Sequence, residues 1–204
     1  SAHALHFGKT EGIAFEAGIF TNLTEDHLDF FPTMEAYAAA KEKLFAPGVC
    51  RFCVLNTDDA EGRKLAASCR GPFTYALENP ADVFAVDIRE SFEGSRFVIN
   101  LFDELYEIRL RLAGLHNVYN AMAAAECAKL LGVSVPVIAA GLAALPRVSG
   151  RLEHIARFRG ADIFVDFAHT PDGLEKSLSA LRRHCAGRLI CVFGCGGNRD
   201  TRKR

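Results

Sequence analysis

Residues 13–23, IAFEAGIFTNL, form an apolar run that is typical of a buried β-strand. A polar turn at 24–27 separates this run from an alanine-rich stretch at 34–45, whose apolar residues recur near helical spacing until Pro47 and Gly48 end it. A second strand is predicted at 51–56 and a helix at 58–69. Because strands and helices alternate, the sequence predicts an α/β fold.

The rest of the chain divides into a β-rich part, two helices and a second α/β piece. Between 73 and 112 the segments 96–100 and 106–110 alternate in polarity, as antiparallel strands with one solvated face do. Helices are predicted at 116–131 and 135–145, and 146–150 (PRVSG) is a linker. A strand at 163–166, a helix at 171–184 and a strand at 189–193 predict one parallel βαβ unit. We therefore divide the chain into 1–147 and 148–204.

Composition excludes several classes of protein. The 204 residues carry 24 basic and 25 acidic side chains, a net charge of -1, so no overall field recruits nucleic acid or an anionic membrane. No apolar run reaches the ~18 residues that span a bilayer, and the start lacks the features of a secretory signal. The seven cysteines are interpreted as free thiols in a reducing compartment. We expect a cytoplasmic protein without a nucleic-acid or membrane partner.

Two glycine-containing segments invite phosphate-binding interpretations. Residues 8–10 (GKT) lack the glycine that a phosphate loop needs five residues earlier, because that position is His3. Residues 194–197 (GCGG) follow an apolar strand, as dinucleotide-binding turns do. The sixth position of that pattern requires glycine but is Arg199 here, so a simple tight turn is an equal alternative. The basic residues at 199 and 202–204 suggest a nearby anion or a solvated tail.

His27 and Lys41 are candidates for a metal site. His27 lies in the turn after a buried strand, where a sheet presents ligands, and Lys41 lies in the following helix. The alternative interpretation is that Lys41 is an ordinary solvated charge on the helix. If it is desolvated instead, its lowered pKa leaves a neutral amine that can take up carbon dioxide. The resulting carbamate is a hard oxygen ligand suited to Mg²⁺.

Several motifs, taken in order, strongly resemble the Mur ligases. They are 21–29 (TNLTEDHLD) and 34–41 (MEAYAAAK) of the central domain, 114–121 (GLHNVYNA) of the adenine-side motif, and 150–153 (GRLE), 165–172 (VDFAHTPD) and 193–200 (FGCGGNRD) of the C-terminal domain. The resemblance implies a partial central ATPase-type domain over 1–147, followed by the first βαβ unit of a Rossmann-like C-terminal domain over 148–204. It also implies that the family's Walker loop, a metal-binding glutamate and the UDP-binding domain precede residue 1.

The same resemblance assigns roles to individual residues. For ATP and Mg²⁺ it implies His27 and a carbamylated Lys41 at the metal, Asn117 and Asn120 at adenine, Arg151 at the phosphates, and Asp166 at the ribose. His169 would lie where the domains meet the substrate and is counted with Lys41 and His27 as catalytic. For the substrates it implies Ser1, Phe7 and Lys9 at the UDP-sugar and Arg199 at a carboxylate of the incoming amino acid.

The implied activity is ATP-dependent amide formation through an acyl phosphate. The resemblance favours the member that adds the third amino acid, meso-diaminopimelate rather than lysine, to UDP-MurNAc-L-Ala-D-Glu in peptidoglycan synthesis, and we expect it to be monomeric. The alternatives are another ligase of the family, which adds D-glutamate to the precursor or glutamate to folate, and a non-catalytic nucleotide-binding fragment.

Overall fold

Helices and strands alternate over residues 2–76, and four consecutive strands, two helices and a hairpin with a final helix follow. The computed structural model describes residues 1–146 and 148–194. Its elements in chain order are α1 (Ala2–His6), β1 (Phe15–Phe20), α2 (Met34–Glu42) with a 3₁₀ turn (Lys43–Phe45), β2 (Cys50–Asn56), α3 (Ala60–Ser68), β3 (Phe73–Ala76), β4 (Val83–Ser91), β5 (Gly94–Leu101), β6 (Glu104–Leu110), α4 (Leu115–Leu130), α5 (Val135–Ala144), β7 (Glu153–Phe158), β8 (Ala161–Val165) and α6 (Pro171–His184).

The first six strands form one mixed sheet. Its strand order is β1-β2-β3-β4-β5-β6, in which the pairs from β1 to β4 are parallel and those from β4 to β6 antiparallel. The antiparallel part is the alternating stretch that the sequence predicts. Because β1, β2 and β3 run in the same direction, the loops after them lie at one edge of the sheet.

The main core lies between this sheet and the helices α4 and α5. Side chains from the strands, such as Tyr75, Phe97 and Leu101, are buried against Val118 and Met122 of α4. Alanines at 121, 123 and 125 are also buried, and their small side chains allow α4 to lie close to the sheet. This packing fixes the first turn of α4 beside the carboxyl edge of β1–β3.

The C-terminal unit, residues 148–194 with β7, β8 and α6, differs from the predicted βαβ unit in two ways. Residues 189–193 form no strand, and Val192 is 95% exposed; the parallel strand predicted there is therefore wrong for this structure, because such a strand needs cover on both faces. Instead, β8 pairs with the unpredicted strand β7 in an antiparallel hairpin. Its two-residue loop has Arg159 at φ 50° and Gly160 at φ 83°, which matches the turn that best follows the twist of a hairpin.

Two further findings concern composition. No helix in the described part of the chain is long and apolar enough to span a membrane. The cysteines within the described residues, Cys50, Cys53, Cys69, Cys127, Cys185 and Cys191, are free thiols, as the sequence predicts.

Candidate nucleotide and metal site

A cleft of about 870 Å³ lies between the two parts of the chain. One wall consists of the loops that follow β1 and β2 and of the first turns of α4. The facing wall consists of residues near 150, the loop after β8 and one side of α6. Asn117, Asn120, Arg151 and Asp166, the four residues that the motifs assign to the nucleotide, all line this cleft.

The start of α4 is built around a glycine and two asparagines. Gly114 has φ 94°, and a Cβ there would lie 2.5 Å from the His116 ring, so only glycine fits. The buried Asn117 amide donates to the Ala113 carbonyl at 2.7 Å and accepts from Asn120 Nδ2 at 3.3 Å. Asn117 therefore holds the helix start, and the exposed Asn120 is the better placed of the two for contact with a base.

Asp166 ties the linker to the C-terminal unit. Its Oδ2 accepts from the Leu152 amide at 2.6 Å, and its Oδ1 accepts from the Ala168 amide at 2.8 Å and the Ser177 hydroxyl at 3.0 Å. These bonds place the exposed Arg151 beside Asp166 at the cleft, so a cation and a hydrogen-bond acceptor meet on one wall.

Lys41 lies in a semi-enclosed environment rather than in open solvent. Its Nζ donates to the Asn22 carbonyl at 2.8 Å and lies 4.9 Å from the Tyr37 ring centroid and 5.7 Å from that of Phe20. Burial lowers the pKa of Lys41 below its usual value, although the carboxylates of Asp59 and Asp26 oppose the change. The role of Lys41 as a metal ligand stays a prediction.

His27 lies in the loop between β1 and α2, and its ring contacts the Tyr37 ring. Its backbone is left-handed at φ 57°, its Nε2 is 3.5 Å from Asp26 Oδ2, and its ring centroid is 5.7 Å from that of Tyr37. Tyr37 thus contacts both candidate metal ligands.

The donor set near Tyr37 fits Mg²⁺ only with help from the nucleotide. Among the described residues, no three His, Cys, Asp or Glu side chains are placed to share an ion. Mg²⁺ usually takes one or two protein ligands and completes its shell with phosphates and water. His27 and a carbamate on Lys41 would supply the protein ligands, because Lys41 already contacts Asn22, which lines the cleft.

The residues assigned to the UDP-sugar lie around α1. Ser1 caps this helix, accepting from the Ala4 amide at 3.3 Å, and Phe7 and Lys9 are exposed at its other end. The His3 ring centroid lies 4.8 Å from that of His27, so α1 adjoins the candidate metal ligands. The structure thereby places α1, the helix that Ser1 caps, next to His27.

The remaining predicted residues are less informative. His169 is exposed before α6, with Nδ1 3.0 Å from the Phe167 carbonyl oxygen, and it does not line the cleft although its neighbours Ala168 and Asp172 do. Arg199 lies outside the described residues, as does the turn at 195–197.

Sequence reasoning missed the acidic pair after β2. Asp59 accepts from the Gly62 amide at 3.2 Å, within the first turn of α3, and from the Leu23 amide at 2.9 Å. Asp58 accepts from the Leu77 amide at 2.6 Å and the Tyr119 hydroxyl at 2.7 Å. Burial would raise the pKa of Asp58, but these hydrogen bonds lower it on balance. The available signal was a polar run, 56–59, directly after a buried strand.

His116 was missed as well, although it lies inside a motif that the sequence analysis quoted. Its half-buried ring lines the cleft. Burial lowers the pKa of His116; Lys176 and Arg151 act in the same direction, and Asp166 and Glu90 act against it. A neutral imidazole is therefore favoured in the middle of the cleft.

The two parts of the chain match two domain families. Residues 1–128 match the Mur ligase middle domain, and residues 150–204 match the Mur ligase, glutamate ligase domain. The chain belongs to the Mur ligase family, which confirms the predicted α/β class and the order of its domains. The boundary between 147 and 148 stays a prediction.

Relatives with known names are similar over the whole chain. The chain is 41% identical to a UDP-N-acetylmuramoyl-L-alanyl-D-glutamate--2,6-diaminopimelate ligase of Xanthomonas campestris and 43% identical to one of Gloeobacter violaceus. In both cases the match covers 100% of this chain and 42% of the relative, so the chain spans less than half the length of these curated relatives.

Solved structures show the same fold. A UDP-N-acetylmuramoyl-L-alanyl-D-glutamate--2,6-diaminopimelate ligase aligns with a TM-score of 0.77 and 36% identity, over 100% of this chain and 43% of that one. MurF from Acinetobacter baumannii aligns with a TM-score of 0.72 and 25% identity, over 83% of this chain and 38% of that one.

Proposed function

We propose that the full-length protein is an ATP-dependent amide ligase that adds meso-diaminopimelate to UDP-MurNAc-L-Ala-D-Glu in peptidoglycan synthesis. The observation that carries the proposal is the convergence of Asn120, Arg151 and Asp166 on one cleft beside a lysine whose pKa is lowered by burial. The names of the relatives support the choice of substrates.

In this proposal the cleft binds ATP between the two parts of the chain. Asn120 contacts the base, Asp166 accepts from the ribose hydroxyls, and Arg151 contacts the phosphates, whose geometry suits a guanidinium. Mg²⁺ held by His27 and carbamylated Lys41 would neutralise phosphate charge. The carbamate forms when the neutral Lys41 amine attacks carbon dioxide and loses a proton.

The reaction proceeds in two displacements. A carboxylate oxygen of the UDP-MurNAc dipeptide attacks the γ-phosphorus of ATP, and the bond to the β-phosphate oxygen breaks to release ADP. The amino group of diaminopimelate then attacks the acyl carbon, loses a proton and expels phosphate to form the amide. Both steps bring anions together, so cationic side chains such as Arg151 contribute by electrostatic stabilisation.

The remaining assignments belong to the same proposal. Ser1, Phe7 and Lys9 contact the UDP-sugar, Arg199 contacts a carboxylate of the amino acid, and His169 lies near the reacting groups. The enzyme acts as a cytoplasmic monomer.

The test of the proposal is the carbamylation of Lys41. Lys41→Ala in the full-length protein should abolish turnover, because the metal loses a ligand, and a short carboxylic acid such as acetate should partly restore it. Lys64→Ala is the matched control, since Lys64 is an exposed lysine paired with Glu61 at 2.8 Å. The mass of the native protein should show one added carbon dioxide. Full turnover by the Lys41→Ala variant would refute the assignment.

Two assays separate the alternatives. A panel of meso-diaminopimelate, lysine, D-glutamate and L-glutamate, each with its cognate acceptor, identifies the amino acid. Preferred turnover with D-glutamate, or with L-glutamate and a folate acceptor, would point to another ligase of the family. Titration of ATP into the 204-residue chain tests the binding-module alternative, for which we expect weak binding without turnover.

A further inference from the structure

The β4–β5 hairpin of the six-stranded sheet contacts the C-terminal unit. Phe92, in the loop between these strands, has its ring centroid 5.2 Å from that of Phe164 in β8 and 5.6 Å from that of His184 at the end of α6. One aromatic side chain therefore contacts both β8 and α6.

An ion pair accompanies this aromatic contact. Glu90 of β4 accepts from Arg183 Nη1 of α6 at 3.1 Å, and the Glu90 side chain is only 11% exposed. Removing the arginine would leave a poorly solvated carboxylate without its cation, which is more costly than the loss of a fully exposed pair. The pair therefore favours one position of the C-terminal end of α6.

Arg183 is also part of the cleft. The α6 residues that line the cleft lie on one side of the helix and extend from Asp172 through Lys176 to Arg183. The start of the helix is held by the Thr170 cap, which accepts from the Gly173 amide at 3.2 Å. The hairpin contacts the opposite end, so the two attachments together determine where this wall stands.

We propose that Glu90 and Phe92 are positioning residues that hold the α6 wall of the cleft at the distance from α4 at which it binds the nucleotide. This inference rests on the proposed nucleotide-binding role of the cleft. Neither residue belongs to a motif that the sequence analysis identified, and neither lines the cleft; both act through Arg183 and α6.

Charge reversal tests the inference in the full-length protein. Glu90→Arg should raise the KM for ATP about tenfold, the effect of about 1.4 kcal/mol, with a smaller change in kcat. It should also increase the radius of gyration measured by small-angle X-ray scattering without nucleotide. A merely destabilising change would lower the active fraction, and thus kcat, and leave KM unchanged.

Controls make each outcome decisive. Glu175→Arg places the same substitution on exposed α6 surface and should leave both readouts at the wild-type values. The double variant Glu90→Arg/Arg183→Glu should restore the scattering profile, and Phe92→Leu should change KM and scattering in the same direction as Glu90→Arg.

The inference is overturned if Glu90→Arg and Phe92→Leu match Glu175→Arg in scattering and KM. If the wild-type protein binds no nucleotide and Glu90→Arg still changes the scattering profile, the proposed function fails and the positioning role of the hairpin stands.

Discussion

Replacing Glu126 by methionine is expected to stabilise the protein at neutral pH. Glu126 lies in α4 with 0% of its surface exposed, and neither carboxylate oxygen has a hydrogen-bond partner among the described residues. Burial, with a smaller contribution from Asp82, raises the pKa of Glu126 from 4.5 to about 8. Folding must therefore either desolvate a charge or take up a proton.

The sign and magnitude follow from linkage. Because the folded state binds the proton more tightly than the unfolded state, stability is greatest below pH 4.5 and falls as the pH rises from 4.5 to about 8. At about 1.4 kcal/mol per pKa unit, the penalty at pH 7 is about 3 kcal/mol. Methionine has a similar volume and no charge, so this penalty should disappear.

Urea unfolding followed by circular dichroism at pH 5, 6, 7 and 8 is the appropriate assay. Relative to Glu126→Met, the wild-type chain should lose about 1.4 kcal/mol of unfolding free energy between pH 6 and 7. Glu175→Met, at an exposed position of α6, should show the wild-type dependence. Equal pH dependence in wild type and Glu126→Met, or a less stable Glu126→Met at pH 7, would refute the reasoning.

Two further substitutions test the cleft. Gly114→Ala should destabilise the chain by about 1–3 kcal/mol and weaken ATP binding, because the new Cβ would lie 2.5 Å from the His116 ring. Gly132→Ala is the control, since Gly132 has φ 89° and open space around the position of a Cβ. Thermal unfolding of this control measures the backbone contribution alone. Tyr119→Phe removes the 2.7 Å hydrogen bond to Asp58 and should lower the free energy of unfolding by about 1 kcal/mol. Urea titrations measure this difference, and an unchanged free energy would show that the hydrogen bond does not stabilise the fold.

The elements were largely predictable because their signals are local. Apolar runs and helical spacing indicated β1, β2, α2 and α4 close to their observed bounds. Strand β8 was predicted, but β7 and its pairing with β8 were missed, because the signal is a turn at 159–160 whose positive φ values are not visible in apolar periodicity. The strand at 189–193 was predicted from an apolar run alone, and an apolar run does not supply the neighbours that a parallel strand requires.

The site was predictable only in part. Motifs indicated Asn120, Arg151 and Asp166, and the structure brings them to one cleft. The roles of Asp58 and Glu90 depend on partners far away in sequence, Tyr119 and Arg183. No local pattern indicates such pairs, because they form when separate elements pack.

The sequence by itself determined the alternation of elements, the order of the family motifs and the residue types available for nucleotide chemistry. Only the tertiary structure decided that Asn117 holds a helix start rather than facing open solvent and that Lys41 lies against the rings of Tyr37 and Phe20. It also decided that Glu126 is buried without a partner among the described residues. The physical reason is that propensity and periodicity act between neighbours along the chain. Burial, pKa and hydrogen-bond pairing are set by atoms brought together through space.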